Sequence, residues 1–168
     1  MSFDGAGLNG VDCDVCAYDG SRLMFRGSKI DVDKPYVAFL GATETFGKFV
    51  VQPFPTVLAK HLPAQSLNLG MINAGVDVYL GDPAIVGLAK KANLRVVQVL
   101  SALNQSNHFF KVHPRRNDRF IGANEALVRM YPDVDFINFI SSKRCWLLCM
   151  ISLDDALRSC VANFRRSG

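Results

Sequence analysis

The chain has 168 residues, of which 49% are hydrophobic and 20% charged, with a formal net charge of +4. That length and balance suit one globular domain with a real core and exclude an intrinsically disordered chain. The charge excess is mild. It argues for solubility and some affinity for anions, not for nucleic acid.

In chain order, Met1 to Lys34 is rich in Gly and Asp without a sustained period, which predicts an irregular arm with a short strand at Arg22–Arg26. The start, MSFDGAGLNGVDCDVC, lacks a basic segment followed by an apolar one, so the expected location is the cytoplasm. Five cysteines then read as reduced thiols. Cys13 and Cys16 have the spacing of a metal or redox pair, but no second pair answers it and no metal or cofactor is expected.

From Pro35 the pattern sharpens. YVAFLG (36–41) predicts a buried strand, PFPTVLAKHL (53–62) a helix, and SLNLG (66–70) a second strand. DPAIVGLAKKAN (82–93) predicts a helix capped by Asp82, with Pro83 at its first position and two lysines in its last turn. LRVVQVLS (94–101) follows as a β-branched strand, then a long loop over 102–120 and a helix over 122–131.

This alternation means βαβ units and a parallel sheet, with the C-terminal ends of three strands on one edge. Open α/β sheets bind ligands at that edge. The three connections there, GATETFG, GMINAGVD and SALNQSN, are rich in Gly, Ser, Thr and Asn, which expose backbone N–H groups and short polar side chains.

The first connection resembles the opening block of the SGNH/GDSL hydrolases, a strand ending in Gly-Asp-Ser-x-Thr. Gly41 stands at the glycine, Ala42 at the aspartate, Thr43 at the nucleophilic serine and Thr45 at the later threonine. SLNLGMINAG resembles the second block, which implies an oxyanion-hole N–H at Gly75, with Gly70 as the alternative. VVQVLSALNQSN resembles the third, which implies an oxyanion-facing Asn104, with Asn107 as the alternative. More closely, SRLMFRG, PYVAFLGATETFGKF and VHPRRNDRF resemble an uncharacterised bacterial domain family of that general fold. The fold expected is a three-layer α/β sandwich with a short parallel sheet, flavodoxin- or SGNH-like, over residues 35–139. Hydrolysis of an ester or acyl bond is the activity the resemblance implies.

Three departures stand against catalysis. Thr43 replaces serine, and its methyl group crowds attack and stiffens χ1. Ala42 removes the aspartate. The late Asp-x-x-His block, which supplies base and orienter, has no counterpart: the histidines are His61, His108 and His113, and none follows an aspartate at that spacing.

The competing expectation is a binding domain for a small anionic or carbohydrate ligand, or an inactive truncated fragment. Its ligand contacts would come from Thr45, Asn73 and Asn107, with His113, Arg115 and Arg116 in an anion-binding lid. Thr43 itself is open to three readings, as a turn residue, a ligand contact or a nucleophile. Phe109 and Phe110 neighbour the basic residues of the lid, but no nucleic-acid-binding module contains them, and no run is long enough to span a membrane. The expected partner is therefore a small molecule.

After residue 139 the composition changes. The tail over 140–168 holds three of the five cysteines and the only tryptophan, and its one glycine is the last residue. A truncation with a frame slip near residue 140 and a diverged C-terminal helix both account for this. Ser152 and Asp155 would cap a helix over 153–165. A truncated sheet would leave an unpaired edge prone to association.

Overall fold

The computed structural model describes residues 13–101 and 104–142. The expected tail helix over 153–165 lies outside the described residues. The chain forms two compact units, divided after Leu100. Both helices and strands are present, with small parallel and antiparallel sheets.

In the first unit, β1 (Val15–Ala17) and β2 (Met24–Arg26) pair antiparallel. The strand expected near residues 22–26 is therefore present, and the segment around it is less irregular than its composition implied. Tyr18, Leu23 and Phe25 are buried in the main core of this unit. Arg26 is buried as well, although it forms no ion pair with a carboxylate among the described residues. Its guanidinium donates to the carbonyls of Gly47, Val50 (2.8 Å) and Val51 (2.9 Å). The planar fork of an arginine suits this, because several fixed donors meet several backbone acceptors at once.

The parallel sheet comprises β3 (Tyr36–Leu40), β4 (Gln65–Asn68) and β5 (Leu94–Val97), in the order β4-β3-β5. The YVAFL run takes the centre, where a strand covered on both faces needs continuous apolar residues. One face carries Tyr36, Ala38 and Leu67, which pack with Val78, Tyr79 and Ile85. Those three come from α3 (Val76–Leu80) and α4 (Pro83–Lys91). The other face meets α2 (Phe54–Ala59): the rings of Phe39 and Phe54 lie edge to face at 5.7 Å, and Ser66 donates to the Pro55 carbonyl at 2.9 Å. Asp82 caps α4 by accepting from the N–H groups of Ala84 and Ile85, as its position predicted.

Two expected loops contain helical turns. GATETFG includes α1 (Thr43–Phe46), a single turn closed by Gly47, and GMINAGVD runs into α3. In each, main-chain groups left unpaired by the end of a strand are taken up at once by a local turn.

The second unit departs further from expectation. The long loop over 102–120 contains an antiparallel hairpin, β6 (Phe110–His113) and β7 (Arg116–Ala123), with Pro114 and Arg115 at the turn. Phe110, Val112 and Phe120 alternate inward and pack with Leu127 and Phe136. Charged residues between them hid this period. The helix expected over 122–131 is shorter, α5 (Glu125–Met130), because β7 continues to Ala123.

Arg26→Met is expected to lower unfolding free energy by about 1–3 kcal/mol, because the three carbonyls lose their donors. Arg26→Lys should fall between, since one ammonium does not reproduce the fork. Urea denaturation of the three proteins checks this.

Candidate functional site

The candidate site lies where the three parallel strands end. Gly41 follows the last residue of β3 and Gly70 lies two residues beyond β4, and both glycines are required by close approach. A Cβ at Gly41 would overlap the Thr45 hydroxyl and the Gln98 side chain, and one at Gly70 would overlap the backbone of Thr45 and Phe46. The ladder is extended beyond the strands: Leu69 N–H donates to Phe39 O at 2.9 Å, Met71 N–H to Gly41 O at 3.0 Å and Gln98 N–H to Leu40 O at 2.9 Å.

Side chains then lock the turn. The Gln98 carbonyl oxygen accepts from Ala42 N–H (2.9 Å) and the Thr45 hydroxyl (2.7 Å). Its NH₂ group donates to Glu44 at 2.8 Å. Because the oxygen serves two donors, the carboxamide has one sensible orientation, with its NH₂ toward the carboxylate. Asn68 ties the second connection to the first, donating to Thr45 O at 3.0 Å while accepting from Gly70 N–H at 2.9 Å. Beneath them the Tyr79 hydroxyl accepts from Gly41 N–H at 3.2 Å and faces the carbonyls of Gly41 and Leu69. Burial pushes its pKa up to about 12.

Thr43 and Asn73 meet above this platform. The Thr43 hydroxyl accepts from Asn73 N–H at 3.0 Å and donates to Asn73 Oδ1 at 3.3 Å. Asn73 has a φ of 54°, in the left-handed region that asparagine tolerates better than most residues. No histidine or carboxylate bonds to Thr43 among the described residues. His61 follows α2 and precedes β4, so it belongs to the opposite end of the sheet.

The expected site residues fall in both units. Thr43, Thr45 and Asn73 come together at the strand ends, but Thr45 is buried and committed to Gln98. Gly75 is buried and forms the N-cap of α3. Asn104 belongs to the second unit, where its side-chain oxygen accepts from Ser142 at 3.3 Å. Asn107 is a hairpin organiser. Its Oδ1 accepts from the N–H groups of Phe109 and Phe110, and its Nδ2 donates to Gln105 O. His113 accepts from Arg115 N–H at 3.2 Å, and Arg115 and Arg116 are exposed at the hairpin turn rather than on an irregular lid.

Gln98, Tyr79 and Asn68 organise the site, and sequence reasoning passed over them. Gln98 had a visible signal as the polar interruption of LRVVQVL. Among the described residues, no group of three or more His, Cys, Asp or Glu is placed to hold a metal ion. No helix among them is long and apolar enough to cross a membrane.

The chain belongs to the family described as Domain of unknown function (DUF6473), which it matches over residues 1–148. Comparison with curated proteins and with solved structures gave no match.

Two variants probe the platform. Gly70→Ala should destabilise by about 1–3 kcal/mol through backbone overlap. Tyr79 is held neutral in the folded state, so its contribution is complete below about pH 10, the ordinary tyrosine value, and is lost as the pH rises toward about 12. Tyr79→Phe should lower stability at pH 8 and flatten that alkaline decline. Tyr18, also raised to about 12, retains its share. Denaturation curves between pH 8 and pH 12 measure both effects.

Proposed function

We propose that this chain is an SGNH-hydrolase-like α/β domain that binds a small polar molecule at its strand-end loops without hydrolysing it. The strand order β4-β3-β5, helices on both faces of the sheet and the Gly-rich turn after the central strand support the fold assignment. The observation that carries the binding reading is the reciprocal Thr43–Asn73 pair. A nucleophilic hydroxyl needs a base to take its proton. Here the hydroxyl donates its hydrogen bond to a carboxamide oxygen, which is too weak a base to take the proton. The same two residues are well suited to a ligand, since Thr43 offers a hydroxyl at a half-buried position and Asn73 an amide at an exposed one.

The test is paired. Turnover of p-nitrophenyl acetate should be indistinguishable between the wild-type chain, Thr43→Ala and buffer. In heteronuclear NMR titrations, at least one compound from a panel of neutral methyl glycosides and small carboxylates should shift the Thr43 and Asn73 signals. Ester turnover abolished by Thr43→Ala would overturn the reading in favour of hydrolysis. A panel that shifts neither residue would overturn binding at this edge.

A further inference from the structure

We infer that the ligand taken at the strand ends is a neutral polyhydroxyl compound of carbohydrate type, and that Glu44 is the acceptor that selects it; this rests on the binding reading above. Three observations converge. The first is charge: residues 41–47, 69–77 and 96–101 contain Glu44 and Asp77 and no lysine, arginine or histidine. An anion brought to these loops would meet carboxylates and no cation from the loops themselves, so phosphates and carboxylates are disfavoured.

The second is the state of Glu44. Its side chain is exposed, yet one oxygen is held by Gln98, whose own carboxamide is pinned by Ala42 and Thr45. The other carboxylate oxygen accepts no hydrogen bond from a described residue. A preoriented acceptor loses less side-chain freedom on binding than a solvated glutamate does.

The third is complementarity. Next to Glu44 along the chain, Thr43 holds Asn73 through the asparagine's N–H and Oδ1, which leaves the Asn73 NH₂ without a partner among the described residues. A ligand hydroxyl both donates and accepts. Neighbouring hydroxyls on a sugar ring would donate to the carboxylate and accept from the amide, and neither a pure anion nor a pure cation uses both.

The experiment titrates the full chain, followed by heteronuclear NMR, with methyl α-glucoside, methyl α-mannoside and methyl β-galactoside, and separately with citrate and inorganic phosphate. Glu44→Gln is the key variant, since its side-chain oxygen still accepts from Gln98 and only the charge is removed. At least one glycoside should shift Thr43, Glu44 and Asn73, and Glu44→Gln should weaken it by about tenfold, the difference between a charged and a neutral acceptor. A native-like spectrum of the variant confirms its fold; if it is lost, Glu44→Asp, which keeps the charge but withdraws the acceptor, replaces it and should also weaken binding. Equal glycoside affinity in the folded variant overturns the role of Glu44 and leaves the binding reading intact. Shifts at Thr43 and Asn73 with citrate or phosphate but with no glycoside overturn the ligand class alone. No shift with any of the five overturns both.

Discussion

The carboxamide of Gln98 holds the candidate site together. Parallel strands end with their last main-chain groups facing outward, and these must be satisfied without a hairpin partner. Gln98 meets that need from the end of β5: it pairs through its backbone with β3 and through its side-chain oxygen with the turn that follows β3. The turn in turn sets where Thr43 and Glu44 emerge. Gly41 is part of the same constraint, since any larger residue would occupy the space of that oxygen.

The hydrogen bonds of Thr43 bear on the proposal that this edge binds rather than hydrolyses. Catalysis by a hydroxyl depends on an asymmetric partner, a base that gains the proton as the oxygen attacks. Asn73 offers Thr43 a symmetric exchange, one hydrogen bond given and one received. Tyr79 contributes in a similar way from below: its hydroxyl is fully occupied by main-chain groups and burial keeps it neutral.

In the second unit, residues that looked functional in isolation have local structural work. Asn107 holds the start of the hairpin through the N–H groups of Phe109 and Phe110, and Asn124, which precedes α5, donates to the carbonyls of Asn107 and His108. His113 steadies the Pro114–Arg115 turn through Arg115 N–H. Charged side chains outside and aromatic ones inside give β6 and β7 their alternation, with Phe110, Val112 and Phe120 buried between exposed Lys111 and Arg119.

The sequence by itself determined the parallel strands, the capped helix after Asp82 and the position of the polar strand ends. Each depends on short-range physics: an apolar run that must be covered, a side chain reaching its own helix, small residues where a chain must turn. It also made Thr43 and Asn73 candidates, though not as a pair. Only the tertiary structure decided that pairing, because the two residues are thirty positions apart and meet through the register of β3 and β4. It likewise decided that Thr45 would be buried and Glu44 exposed, and that Gln98, which looked like one polar residue in a hydrophobic strand, would face the turn. Whether a side chain is a ligand contact or a structural tie depends on what the fold brings against it, and no local pattern carries that information.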